Sequence, residues 1–195
     1  ANREIHELLL ENIPVSENRK TGEKSPSVYI IDFKNPENNS FIAISQFKVN
    51  IPGTEKHIIP DIVLFVNGLP LVVVECKSPS RADPIGEAIE QIFRYSNRRG
   101  EKEGNEKLFW YNLFSVATAR YTAKYGTITS DYEHFVEWKD PYPYSLSDID
   151  PTATTITSQQ ILVQGMLNKN TLIELLHTFT IFKDNLKIVP RYQQY

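Results

Sequence analysis

The chain has little cysteine: Cys76 is the only one in 195 residues, so no internal disulfide framework forms and nothing argues for secretion. Long apolar runs are missing too. None approaches the roughly 18 residues of a membrane span, and the opening residues carry no signal-peptide pattern, so a cytoplasmic setting without membrane contact is expected. Excess charge of one sign is also lacking. A net charge of −3 gives no global basic footprint, and any nucleic-acid contact must rest on a local patch or on partner subunits. The few histidines, His6, His57, His134 and His177, are scattered without metal-ligand spacing and read as surface or core residues. There is no internal repeat and no low-complexity tract. What remains, 41% hydrophobic and 23% charged, fits one globular domain with a sizeable core and an appendage. A start at Ala1 without methionine is expected of a piece of something longer.

Helical spacing of Ile5, Leu8 and Leu9 predicts a short first helix that Pro14 ends. Residues 18–26 read as a polar loop. Residues 27–33 and 41–49, rich in β-branched and aromatic side chains, read as strands separated by a turn-rich stretch. Residues 61–66 and 69–77 flank Asn67-Gly68, a hairpin signal because both positions of a type I′ turn need φ > 0. In the second strand Leu71, Val73, Glu75 and Lys77 alternate with Val72, Val74 and Cys76, and both faces are apolar until the end. Such a strand belongs in the centre of a sheet covered on both sides. Asp83 caps a helix with Pro84 at its first position and Ile85, Ala88, Ile89 and Ile92 as its apolar stripe; Gln91 and Tyr95 sit one turn apart beside it. Residues 97–107 read as a surface loop, 113–119 as a strand and 125–138 as one or two more. After Asp140, Pro141, Pro143 and Pro151 mark an extended linker, and Thr157-x-x-Gln160 and Thr171-x-x-Glu174 are candidate capping boxes for two final helices.

The chemistry sits at strand ends. Asp61 opens one apolar run and Glu75-Cys76-Lys77 closes the next, and such charges are costly to desolvate unless they hold each other or a metal. Two carboxylates beside a lysine suit a divalent cation for attack on a phosphodiester. Magnesium takes hard oxygen ligands, so Asp61 and Glu75 are its candidate ligands, the backbone carbonyl of Cys76 a third, and Lys77 orients the water or contacts the phosphate. Register is a test of this idea. A strict two-residue hairpin pairs Asp61 with Val74 and puts the two acids on opposite faces; a three- or five-residue connection, or one bulged residue near Pro70, pairs Asp61 with Glu75.

Pro60-Asp61 followed by Glu75-Cys76-Lys77 resembles the PD-(D/E)xK nuclease core, and Gln91-Ile92-Phe93-Arg94-Tyr95 resembles the Gln-x-x-x-Tyr motif of its RecB-type branch. The run from Asp32 to Asn39, Gln46-Phe47, and the text from Pro60 to Glu75 resemble the amino-terminal region of the type I restriction enzyme R (HsdR-type) subunit. The resemblance implies an α/β restriction-endonuclease-like fold with a mixed, mostly antiparallel central sheet flanked by helices. It implies an endonuclease domain over 1–150 and a helical connector over 151–195 leading to an ATP-driven motor. No Gly-x-x-x-x-Gly-Lys-Ser/Thr phosphate loop occurs here, so the motor and its ATP site are expected outside these residues. By the same resemblance the activity is Mg2+-dependent cleavage of double-stranded DNA, with methyltransferase (M) and specificity (S) subunits as partners. Asp61, Glu75 and Lys77 are then catalytic, with Gln91 and Tyr95 fixing the lysine or the DNA backbone. Cys76 departs from an aliphatic position of the family and reads as a small core residue. Related nucleases often add an upstream glutamate; none of Glu4, Glu7 and Glu11 is assigned.

Other readings compete. Asp61, Glu75 and Lys77 alone fit a strand-end ion pair, and Gln91 and Tyr95 alone fit ordinary helix positions. The cluster Arg94, Arg98, Arg99, Lys102 and Lys107 reads as a solvated loop, with a phosphate-tracking rim as the alternative. Trp110, Tyr111 and Phe114 read as core. The non-enzymatic alternative is a docking module that couples the motor to the partner subunits.

Overall fold

The computed structural model describes residues 1–11, 13–152 and 155–195. Its centre is a five-stranded sheet in which spatial order follows chain order: β1 (Phe41–Ser45), β2 (Ile62–Val66), β3 (Leu69–Cys76), β4 (Phe114–Ala119) and β5 (Thr122–Gly126). Neighbours are antiparallel except β3 and β4, which run parallel. A parallel pair needs a crossover, and the helix α2 (Pro84–Tyr95) provides it. The result is the mixed, mostly antiparallel α/β sheet that the resemblance implies.

Each face of the sheet buries its own cluster. On one, Val63, Val73 and Ala117 pack against Ala88, Ile89, Ile92 and Tyr95 of α2. On the other, Val66, Val72, Val74, Phe114 and Val116 meet Leu162 of α3 (Ser158–Gly165), Leu172 of α4 (Lys169–Glu174), and Leu175 and Leu176 beyond it. Leu9 of the amino-terminal helix α1 (Asn2–Leu10) joins that second cluster. The carboxy-terminal helices thus share a core with the sheet. A short hairpin, Ile181–Lys183 paired with Leu186–Ile188, follows them and is absent from the sequence reading. Among the described residues no helix is long and apolar enough to cross a membrane.

Four local readings need correction, the first being the expected strand over 41–49, which ends at Ser45 because Gln46 turns the chain at φ 53°. The expected strand over 27–33 is strand only at Ser27–Val28. Beyond it, Asp32 accepts from the Lys34 and Asn35 amides, while Asn39 bonds both the amide and the carbonyl of Asp32. Side chains that satisfy the backbone locally remove the need for a ladder. The capping box at Thr157 and Gln160 forms. The one at Thr171 and Glu174 does not: Asn168 caps α4 by accepting from the Thr171 amide at 2.9 Å, which puts Thr171 inside the helix. In β3, Leu71 does not share a face with Val73 but packs with Val72 and Val74.

That last departure fixes the register. Asn67 and Gly68, with φ of 50° and 84°, make the two-residue turn and pair Val66 with Leu69 and Phe65 with Pro70. Leu64 then pairs with Val72, not Leu71, so Leu71 is an extra residue on β3. From there Val63 faces Val73 and Ile62 faces Val74. Asp61 therefore comes opposite Glu75, the bulged alternative of the two registers.

Candidate active site

Register alone puts two acids on one face; the neighbouring strands decide how they are held. Glu75 is 1% exposed and pairs across the parallel ladder with Ala117, on the α2 side of the sheet. Its Oε1 accepts from Lys77 Nζ at 2.5 Å, and the Lys77 side chain is 13% exposed. Its Oε2 is buried without a hydrogen-bond partner. Burial pushes the Glu75 carboxyl up to about 7; Lys77 opposes the shift, and the nearby Asp61 carboxylate adds to it. Desolvation is the main cause, and the smaller Asp61 contribution is that of a second carboxylate on the same face.

Asp61 is held from both sides. Its Oδ1 accepts from Gln46 Nε2 at 2.8 Å, and its Oδ2 from the Cys76 backbone amide at 2.8 Å. The segment before it is held from α2. Tyr95, 2% exposed, donates its hydroxyl to the Ile59 carbonyl at 3.1 Å and accepts from Gln91 Nε2 at 2.5 Å. Burial raises the Tyr95 hydroxyl above its ordinary pKa, and the Glu75 charge adds to that, so it stays a proton donor. The helix is itself well anchored. Asp83 accepts from the Gly86 amide at 2.9 Å, and Tyr132 donates to Asp83 at 3.1 Å. A Cβ at Gly86 would overlap the Asp83 carboxylate.

The residues singled out in the sequence are thus brought to one strand end. The Cys76 side chain departs from its reading as a core residue: it is exposed, at the rim of the opposite face beside Val74 and Val163, while its backbone amide stays at the site. Desolvation first, then the Asp61 and Glu75 charges, hold its thiol above its usual pKa, which suits an unreactive thiol. Of the basic cluster, Arg98 bonds Asp131 at 3.1 Å, and Arg99 lies within 4 Å of both Glu90 and Glu103. Arg94 stacks 5.0 Å over the Tyr95 ring and lines, with Lys77 and Gln91, an open cleft of about 480 Å³. Gln46 stands out in the sequence only as part of the family resemblance, with no site role. Its amide reaches Asp61 across strands fifteen positions apart, and no local spacing announces such a pair.

Among the described residues no group of three or more His, Cys, Asp or Glu side chains is arranged to hold a metal. Two carboxylates still suit magnesium, which is usually bound by one or two acids with water and substrate phosphate completing the shell. The orphaned Glu75 Oε2 fits that demand, because a buried carboxylate oxygen without a donor is costly until a cation or donor meets it.

Comparison with known proteins gives the family of the chain. The family model described as the N terminus of the type I restriction enzyme R protein matches residues 1–134. The chain is 26% identical over 201 residues to the type I restriction enzyme HindI endonuclease subunit of Haemophilus influenzae, covering 100% of the chain and 18% of that protein. It is 27% identical over 170 residues to the type I restriction enzyme EcoprrI endonuclease subunit of Escherichia coli, covering 86% of the chain and 50% of that protein. The chain spans under two thirds of either relative.

Proposed function

Because the chain belongs to the family of type I restriction enzyme R protein N termini, we propose that it is a PD-(D/E)xK nuclease module that cuts double-stranded DNA by Mg2+-dependent hydrolysis. The observation that carries this reading is the Leu71 bulge, which sets Asp61 opposite Glu75 with Lys77 bonded alongside. Asp61, Glu75 and the Cys76 carbonyl would hold the ion. When bound, magnesium neutralises charge on the phosphate and makes its water a better nucleophile. Lys77, a point charge with several donors, orients the attacking water or contacts the phosphate. Water oxygen bonds to phosphorus as the bond to the leaving oxygen breaks, and that oxygen departs with a proton. Tyr95 and Gln91 keep the segment ahead of Asp61 in place.

In the whole subunit, an ATP-driven motor would bring DNA to this site, and methyltransferase and specificity subunits would choose where the complex assembles, in the cytoplasm. The test is single substitution in the assembled complex. Asp61→Ala, Glu75→Ala and Lys77→Ala should each cut cleavage by about 100- to 10,000-fold while ATP hydrolysis and translocation persist. Cleavage at the unsubstituted rate in these variants would leave the chain as a docking module for motor and partner subunits.

A further inference from the structure

Resting on the nuclease reading, we propose that Gln46 is a positioning residue of the reaction: its side-chain amide fixes the Asp61 carboxylate in the orientation that receives a divalent cation. Gln46 follows directly on β1, and its backbone is left-handed at φ 53°, a conformation unusual for a residue with a side chain. Two backbone bonds hold it there. The Gln46 amide donates to the Asp61 carbonyl at 2.8 Å, and the Phe47 amide to the Pro60 carbonyl at 3.2 Å. Phe47 packs edge-on against Phe65 of β2, with ring centroids 5.2 Å apart, which anchors the turn from the core side.

With the backbone set in this way, Gln46 Nε2 meets Asp61 Oδ1 while the Cys76 amide meets Oδ2. The carboxylate is thus gripped by one donor from the residue just past β1 and one from the end of β3. An ionised carboxylate has about four acceptor positions, so these two bonds stop its rotation and leave capacity for a cation. A neutral amide is the suitable holder. A lysine or arginine at this place would offset the charge that attracts the metal, whereas glutamine orients Asp61 and leaves its charge intact. Gln46 is itself exposed, so the hydrogen bond, not packing of its side chain, is what it contributes.

Glycine separates the two roles of this position, because Gln46→Gly removes the amide yet suits the left-handed backbone. Gln46→Leu keeps bulk without a donor. The 195-residue chain is melted in EDTA and over a titration of Mn2+ alone, with Asp61→Asn as the reference for a damaged site. Both Gln46 variants should retain a cooperative melt in EDTA and need about 10- to 100-fold more Mn2+ for half of the metal-induced rise in melting temperature. Unchanged Mn2+ dependence in both would overturn the positioning role and leave the nuclease reading standing. A loss in the glycine variant but not in the leucine variant would assign the effect to bulk and overturn it equally. No Mn2+ response in the unsubstituted chain would remove the nuclease reading and this role together.

Discussion

Tyr95 carries two loads: its ring fills the core under α2, and its hydroxyl ties Ile59, two residues before Asp61, to that helix. Tyr95→Phe separates them. The ring stays and the hydroxyl goes, so urea unfolding should show a loss of about 1 kcal/mol, the ordinary worth of such a bond. Cleavage by the assembled complex should fall with it, since the strand carrying Asp61 loses its tie. His6 and Lys187 are a different case. Burial, reinforced by the charge of Lys187, lowers His6 to about 4, and burial lowers Lys187 to about 7. Lys187 Nζ donates to the Asn112 carbonyl at 2.6 Å, and both His6 ring nitrogens are buried without partners. For each group the folded state binds its proton less readily than the unfolded one, so stability rises with pH between the two values. Melting temperature should therefore climb between about pH 4 and 6.5 through His6 and again above about pH 7 through Lys187. His6→Gln should flatten the first rise and Lys187→Met the second, read by thermal melts across pH.

Helix α2 is the element on which the site leans, because its first turn is capped by Asp83 and its last carries Tyr95. Asp83→Ala leaves the Gly86 amide without its acceptor and should cost about 1 kcal/mol in chemical denaturation. The β2–β3 hairpin shows how far a sequence reaches. Asn67-Gly68 specifies its turn, and apolar runs on either side specify its strands. The bulge was legible only as one of two registers. Strand β3 is buried on both faces, so alternation carries no information there, and either register keeps apolar side chains inside. Leu71, the bulged residue, is fully buried and its carbonyl accepts from the Leu113 amide at 2.7 Å. Residues 27–33 misled for a related reason: their propensity is that of a strand, but Asp32, Asn39 and Asn67 satisfy the backbone with side chains instead. The contacts of Gln46 and Lys187 were illegible because each reaches a residue distant in sequence, Asp61 and Asn112 respectively.

As a whole the molecule is a sheet with two unlike faces. One is sealed by α2 and bears the acids at its margin; the other is filled by α1, α3, α4 and the segments around them. That division explains why Glu75 is buried yet next to an open cleft: it lies where the α2 face ends and Lys77 begins the cleft wall. In the proposed function those two acids act together on one cation. A crystal of the chain soaked in Mn2+ measures this most directly, through anomalous density. One peak is expected between Asp61 and Glu75, within about 2.0–2.3 Å of an oxygen from each. A well-diffracting soak with no peak there, or with manganese bound by only one of the two acids, would contradict it.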